Sequence, residues 1–352
     1  MKLAVYAIAK NEEKHVARWA ASCADADYRV ILDTGSTDRT VALAREHGVN
    51  VHEATFSPWR FDDARNAALE LVPADADYCV TLDMDEVLLP GWREAFEALP
   101  PGVTRPRFTY VYSRNADGTD GLTYGAHATH HRHGYRWEGA IHESVVRIPG
   151  AGPEVQGWCD AVIEHMPDPE KSRALYLTML RDAADAEPLN PRHAFYLGRE
   201  LMIHGEHEEA TAELTRYLAM MSPHTAERST AMRYLAAMDE EGREAHLLRA
   251  CAEAPERREP WADLAYHHYI REAWAECYAA ATRALTITER PLGWFCEAEA
   301  WGALPHDLAA LSAHHLGMPA AAIQHGEAAL ELATGDERLA RNLTFYREEV
   351  AA

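Results

Sequence analysis

Short apolar runs alternate with amphipathic stretches along the first hundred residues. The runs at Lys2–Ala9, Arg29–Leu32, Val49–His52 and Asp77–Leu82 have the length and composition of buried strands, and the intervals between them show helical periodicity. Strands that alternate with helices at this spacing form a parallel sheet covered on both faces. The pattern therefore predicts an α/β fold for this part of the chain.

The alternation becomes less regular after Pro100 and Pro101. Arg107–Tyr112 has the period of a strand, and Gly121–Tyr124 follows a turn-rich stretch, so the two are predicted to form a hairpin. Two further short strands are predicted at Ser144–Ile148 and Ala161–His165. These strands extend the α/β domain to about residue 168.

From residue 169 onward the chain is rich in Ala, Leu and Glu and is predicted to be helical. Ala194, Leu197, Gly198, Gly205 and Ala210 fit the small and large positions of the 34-residue tetratricopeptide template. The pattern starts again at Trp261, and it predicts three or four stacked helical hairpins. We therefore expect two domains, 1–168 and 169–352, the second being a tetratricopeptide (TPR)-like repeat domain for dimerisation or protein docking.

Composition narrows the possible partners. The 352 residues include 34 basic and 56 acidic ones, a formal net charge of −22, which disfavours nucleic-acid or anionic-membrane binding. The sequence has no apolar run of membrane-spanning length, and the first residues, MKLAVYAIAKNEE, resemble a strand more than a signal peptide. Six scattered cysteines are typical of reduced thiols. We expect a cytoplasmic protein without a membrane partner.

The strongest candidate chemistry is in the stretch Y-C-V-T-L-D-M-D-E, residues 78–86. A buried strand ends there in three carboxylates, and on a continuing strand Asp83 and Asp85 would point to the same side. Two like charges this close are unfavourable without a cation, and carboxylate oxygens suit Mg²⁺ or Mn²⁺. Carboxyl ends of parallel strands meet at one edge of a sheet, so Asn11, Glu12 and Asp33 are expected there too.

Four segments carry a resemblance to a known family. K-N-E-E after the first strand, D-T-G-S-T-D-R-T after the second, A-R-N-A-A-L before the fourth and L-D-M-D-E at its end resemble the family 2 glycosyltransferases, which adopt the GT-A fold. The likeness covers residues 1 to about 170. It is closest to the bacterial branch fused to tetratricopeptide-like repeats, which includes the sublancin-type peptide S-glycosyltransferases.

The resemblance implies a donor site for a nucleotide-diphospho-sugar. Ala9, Asn11 and Glu12 would cradle the base and ribose, and Asp33 or Asp38 would accept a hydrogen bond from the base, most commonly uracil in this family. A UDP-sugar is therefore the favoured donor. Asp38 has an alternative role as the cap of the following helix.

The resemblance also implies roles around the diphosphate. Arg65 would lie near the diphosphate or base, Asp83 would meet the ribose or a metal-bound water, and Asp85 would bind the metal. Pairing with Asp62 or Asp63 on its own helix is the alternative for Arg65. His165 would complete the metal site, with His142 as its rival, and an imidazole ligand favours Mn²⁺.

The resemblance also implies an acceptor side near the stretch R-W-E-G-A-I-H-E, residues 136–143, because the similar branch has a Gly followed shortly by His-Glu there. Inverting transfer needs a general base, and Glu143 is the candidate, with Glu138 or Asp120 as substitutes. An ion pair at a strand edge is the alternative role for Glu143. The crowd of histidines between His127 and His142 lacks the ligand spacing of a zinc site and is expected to be mostly loop surface.

Together these features predict a metal-dependent, inverting glycosyltransferase. It would move a single sugar, because the Q-x-x-R-W segment of processive synthases is absent from the sequence. The acceptor is open: peptide, small molecule, glycan precursor or nucleobase. The alternatives are a nucleotidyltransferase, which would need a Gly-rich phosphate loop, and a helical-repeat scaffold whose GT-A domain binds a nucleotide but is inactive.

Overall fold

The computed structural model describes residues 1–114, 122–126, 129–168, 176–291 and 295–351. The chain forms two compact units, Met1–Met179 and Leu180–Ala352. The boundary predicted after residue 168 falls next to residues 169–175, which lie outside the described part, so this boundary stays a prediction.

The first unit is the predicted α/β domain. Its strands are β1 (Leu3–Ala9), β2 (Tyr28–Asp33), β3 (Asn50–Glu53), β4 (Tyr78–Thr81), β5 (Glu86–Leu88), β6 (Arg105–Val111), β7 (Thr123–Ala126), β8 (Thr129–His131), β9 (Tyr135–Glu138), β10 (Ser144–Arg147) and β11 (Gln156–His165). Its helices are α1 (Glu13–Ser22), α2 (Thr40–Glu46), α3 (Phe61–Glu70) and α4 (Trp92–Glu97). All four strands expected in the first hundred residues are present.

The central sheet has the order β3-β2-β1-β4-β8. The first four strands are parallel, and β8 adds to β4 in the antiparallel direction. Alternate residues of β1 point to opposite faces: Leu3 and Val5 pack with Trp19 of α1, and Tyr6 packs with Leu69 of α3. Helices therefore cover both faces, as the apolar strand composition predicted.

The second sheet has the order β5-β11-β6-β7. β6 and β7 form the predicted antiparallel hairpin, with Tyr110 opposite Tyr124. β11 begins at Gln156, earlier than predicted, and runs parallel to β6. Its last residue, His165, lies opposite Glu86 of β5, which brings the end of β11 to the acidic segment.

One histidine of the His-rich stretch is a core residue. His130 belongs to β8 and is fully buried, and its Nε2 lies 3.2 Å from the Tyr6 hydroxyl. His130 is thus an exception to the expectation of mostly surface loop, because it packs beside Tyr6, whose hydroxyl also accepts from the Trp137 indole. Burial lowers the pKa of His130 to about 4, so it is a neutral core residue.

The second unit is helical throughout its described part. Its helices are α5 (Tyr176–Ala186), which begins before the unit boundary, α6 (Pro191–Ile203), α7 (His207–Ala219), α8 (Thr225–Met238), α9 (Arg243–Glu253), α10 (Arg258–Ile270), α11 (Trp274–Leu285), α12 (Ala298–Trp301), α13 (Leu304–His315), α14 (Pro319–Leu332) and α15 (Glu337–Ala351). Helical hairpins form from α6 and α7, α8 and α9, α10 and α11, and α13 and α14. The predicted repeat architecture is therefore present.

Two further expectations concern the cysteines and the membrane. All six cysteines are free and buried, which agrees with reduced thiols that pack as small apolar side chains. Within the described ranges, none of the helices combines the length and apolarity needed to cross a bilayer.

The repeat packing generates a stability prediction. A Cβ added to Gly198 of α6 would lie 2.7 Å from Leu214 Cγ, whereas one added to Gly326 of α14 would lie 3.3 Å from Leu343 Cδ1 and 3.5 Å from the Tyr346 ring. Gly198→Ala should lower the free energy of unfolding by about 1–3 kcal/mol because of overpacking. Gly326→Ala should be neutral or stabilising, since alanine favours helix by about 1 kcal/mol. Urea unfolding midpoints measure both, and equal shifts would contradict the packing argument.

Candidate functional site

The polar residues after β1 and β2 are brought together by the parallel sheet. Asn11 adopts a left-handed backbone conformation, with φ of 57°. Its N–H donates to Ser36 Oγ at 2.8 Å, and its Oδ1 accepts from the Thr37 N–H at 2.8 Å. Glu12 is buried, and its N–H donates to Thr40 Oγ1 at 2.7 Å. The loop from Ala9 to Glu12 is thus held against the loop after β2.

The two aspartates of the second loop organise that loop. Asp33 is 2% exposed and accepts from the N–H groups of Gly35 and Ser36, at 3.0 and 2.9 Å, and from the Ser36 hydroxyl. Asp38 accepts from the Thr40 N–H at 2.9 Å, which is the helix-capping contact considered from the sequence. Burial would raise the pKa of Asp38, but hydrogen bonds from Thr40 and Glu13 outweigh it and the pKa is lowered.

The acidic segment after β4 is a turn. β4 ends at Thr81, so the expectation that Asp83 and Asp85 share one side of a continuing strand is wrong. The turn closes with a 2.9 Å bond from the Glu86 N–H to the Asp83 carbonyl. A turn lets the two carboxylates point to different partners, which lowers their mutual repulsion.

Arg65 connects this turn to the predicted acceptor segment. It donates to Asp83 Oδ1 at 2.8 Å and to Oδ2 at 3.0 Å, and its Nε donates to Glu143. The guanidinium also lies 4.9 Å from the Trp137 ring centroid. Burial alone would lower the pKa of Arg65, but the charges of Asp83 and Glu143 raise it. The sequence also allowed an ion pair between Arg65 and Asp62 or Asp63 of the same helix. In the structure these two aspartates pair with Arg60 instead.

The acceptor segment is fixed onto the start of α3. Asn66 exchanges two hydrogen bonds of 2.9 Å with the backbone of Trp137, and the Gly139 N–H donates to Asp62 Oδ2 at 3.0 Å. Gly139 has φ of 113°, and a Cβ there would lie 3.2 Å from the Glu143 backbone. The A-R-N-A motif and Gly139 thus set the position of Glu143.

Asp85 lies beside the end of β11. His165 Nε2 is 3.7 Å from Asp85 Oδ2, and the Met166 N–H donates to the Asp85 carbonyl at 2.7 Å. Burial would lower the pKa of His165, but Asp85 raises it above its ordinary value. The rival His142 has a left-handed backbone, with φ of 53°.

These residues have the chemistry of a small metal site. In the part of the chain that the structure describes, no group of three or more His, Cys, Asp or Glu side chains is arranged to hold a metal ion. Mg²⁺ and similar ions commonly take one or two protein ligands and complete their shell with substrate phosphates and water. The pair Asp85 and His165 fits a cation of that kind.

The substitutes for Glu143 are placed differently. Glu138 is exposed and pairs with Arg136, two residues before it on β9. Asp120 lies outside the described residues.

Sequence reasoning assigned no role to Glu86, the third carboxylate of D-M-D-E. Its Oε2 accepts from the Asp83 N–H at 2.8 Å, and its Oε1 accepts from the Tyr110 hydroxyl at 2.6 Å. Burial and the charge of Asp83 raise the pKa of Glu86 to about 8, although the bond from Tyr110 opposes the rise. Glu86 therefore ties the turn to β6.

One protein-family model matches part of the first unit. The family model described as "Glycosyl transferase family 2" matches residues 5–99. A "TPR repeat-containing protein" of Synechococcus elongatus is 37% identical over 89 residues, which is 25% of this chain and 21% of that protein. The chain thus matches about a fifth of the length of this relative.

Two solved structures show a weaker likeness to part of the chain. The crystal structure of MamA has a TM-score of 0.36 at 17% identity and covers 45% of this chain and 86% of its own. A thermophilic TPR protein of Thermus thermophilus has a TM-score of 0.32 at 17% identity, with 48% and 88% covered. The family match thus lies in the α/β unit, and the second unit is helical in its described part.

The environment of Glu86 predicts a pH dependence. The unfolded chain releases this proton near pH 4.5, and the folded chain holds it until about pH 8. Between these values the unfolded state binds fewer protons, so stability should fall as pH rises. Glu86→Gln should flatten that fall.

Urea unfolding between pH 5 and pH 8, without divalent cations, measures the effect. Glu97→Gln is the control, because Glu97 is an exposed carboxylate bonded to Arg93. Parallel pH profiles for wild type and Glu86→Gln would contradict the assignment.

Proposed function

We propose that the protein is a metal-dependent, inverting glycosyltransferase that moves one sugar from a nucleotide-diphospho-sugar to an acceptor. The observation that carries the proposal is the pair Asp85 and His165, 3.7 Å apart at the carboxyl edge of the sheet. Asp85 lies within residues 5–99, which the family 2 model matches, and His165 is the last residue of β11. Ligands of open α/β sheets bind at this edge.

The donor would occupy the edge above β1, β2 and β4. The loop from Ala9 to Glu12 and the loop containing Asp33 and Asp38 would receive the base and ribose, and a UDP-sugar is the favoured donor. Asp83 would face the ribose side while Arg65 holds it. Asp85 and His165 would hold Mn²⁺ or Mg²⁺, which supplies positive charge against the charge that develops on the departing diphosphate.

The acceptor would enter from the side of Gly139–Glu143. Glu143 is the proposed base: its Oε1 is bonded to Arg65, and that bond orients the carboxylate. His142 stays the second candidate for the metal, and Glu138 the substitute base. We propose that the helical unit serves acceptor docking or homodimerisation, and that the protein acts in the cytoplasm. The acceptor would then depend on what the helical unit binds, and a peptide acceptor would agree with the branch that contains the peptide S-glycosyltransferases.

The donor site is tested by ligand-induced stabilisation. A nucleoside diphosphate at a hundred times its dissociation constant should stabilise the protein by about 2.7 kcal/mol. We expect a shift in melting temperature with one nucleotide of a panel of UDP, GDP, ADP and CDP, only when Mn²⁺ or Mg²⁺ is present. Asp85→Asn should abolish it.

Asp75→Asn is the matched control, since Asp75 is an exposed carboxylate paired with Lys2. If no nucleotide stabilises the wild type with either metal, the proposal fails and a helical-repeat scaffold with an inactive α/β domain becomes the better account.

The base is tested by an isosteric change. Glu143→Gln keeps an oxygen that can accept from Arg65 but cannot take a proton at neutral pH. Hydrolysis or transfer of the sugar nucleotide that binds should fall by at least about a hundredfold, while nucleotide affinity stays unchanged. Retained turnover in Glu143→Gln would shift the assignment to Glu138 or Asp120.

A further inference from the structure

Helix α1 presents two side chains to the same edge of the sheet. The Trp19 indole donates to the Leu82 carbonyl at 2.8 Å, which fixes α1 next to the residue that precedes Asp83. His15 precedes Trp19 by four residues and shares its buried side of the helix, and Arg18, three residues after His15, lies beside His15 and is half-buried. Neither residue has a role in the proposed mechanism.

The protonation state of His15 follows from its contact with Arg18. Arg18 Nη2 lies 3.0 Å from His15 Nδ1. A guanidinium can only donate, so Nδ1 accepts and the proton of the neutral imidazole is on Nε2. Burial and the charge of Arg18 lower the pKa of His15, which favours that neutral form.

The resulting N–H of His15 is a buried donor without an acceptor. His15 is 6% exposed, and its Nε2 has no hydrogen-bond partner in the part of the chain that the structure describes. The closest carboxylate oxygen in an ion-pair contact is Glu12 Oε2, at 3.9 Å, beyond hydrogen-bond distance. The charges of Asp85 and Asp168 oppose the lowering of the pKa of His15, so both carboxylates lie near this ring.

Arg18 also has an N–H donor without an acceptor among the described residues, and its side chain carries a full positive charge. Its Nε is buried and finds no hydrogen-bond partner within the described segments. Its Nη2 is used by the neutral His15, and among the described residues Arg18 forms no ion pair with a carboxylate. The Nε–H of a half-buried guanidinium and the buried N–H of His15, left without acceptors among the described residues, cost free energy unless a ligand provides anionic oxygens.

We propose that His15 and Arg18 form an anion subsite that binds phosphate oxygens of the donor nucleotide beside Asp85. This inference rests on the proposed function and adds two binding residues to it. His15 Nε2 cannot be a metal ligand while it carries the proton, so its partner is an acceptor. The two donors would hold the diphosphate in place and stabilise the charge that it gains on departure.

The experiment compares the affinity of the full-length protein for UDP, GDP, ADP and CDP with that for the matching nucleosides, by calorimetric titration with Mn²⁺. Arg18→Met and His15→Phe should each weaken the diphosphate by about tenfold or more, because a bond to a charged group is lost. The nucleoside, which lacks phosphates, should bind as tightly as to wild type. His15→Gln, whose amide can restore an N–H donor, should recover part of the loss.

Arg45→Met is the control for loss of an arginine, since Arg45 is exposed and paired with Glu53. Unchanged diphosphate affinity in both variants, with wild-type binding intact, would overturn the subsite and leave the proposed function standing. Equal losses for nucleoside and diphosphate would also overturn it, because they indicate a structural role. If the wild type binds none of the four diphosphates, the proposed function and the subsite fall together.

Discussion

The site depends on one buried cation. Arg65 extends from α3, and its guanidinium forms ion pairs with two carboxylates. Asp83 lies in the turn after β4, and Glu143 lies in the acceptor segment, residues 136–143. Burying a guanidinium is costly, and its ion pairs with the two carboxylates offset that cost. Because the three residues come from separate elements, their ion pairs define how the turn and the acceptor segment meet. Removing Arg65 would leave two carboxylates close together without the cation that they share.

This arrangement gives the two aspartates of D-M-D different surroundings. Asp83 is neutralised by Arg65 with both oxygens, and Asp85 lies beside His165. The repulsion that makes a pair of adjacent carboxylates unfavourable is thereby relieved in the absence of a metal. Glu86 contributes in the same direction, since its raised pKa keeps it protonated over much of the neutral range. The segment can therefore fold before any ligand arrives.

The sequence predicted the parts of the molecule that depend on local pattern. Apolar runs located β1, β2 and β4, and strand-end topology placed Asn11, Asp33 and the acidic segment at one edge. It could not predict the Arg65–Glu143 pair, which joins residues 78 positions apart, because periodicity says nothing about which polar side chains meet. β8 was missed for a related reason: T-H-H has no apolar alternation, and His130 is buried only because Tyr6 and Trp137 surround it.

The electrostatics of the site are unusual for a protein of net charge −22 that is proposed to bind a diphosphate. Arg65 carries one positive charge against the two of Asp83 and Glu143, and His165 offsets Asp85 only when protonated. A diphosphate would therefore meet a surplus of negative charge and be repelled. A divalent cation at Asp85 would reverse that balance on one side. On the other side, Arg18 would add one positive charge and His15 a neutral N–H donor, and both would face the phosphate oxygens.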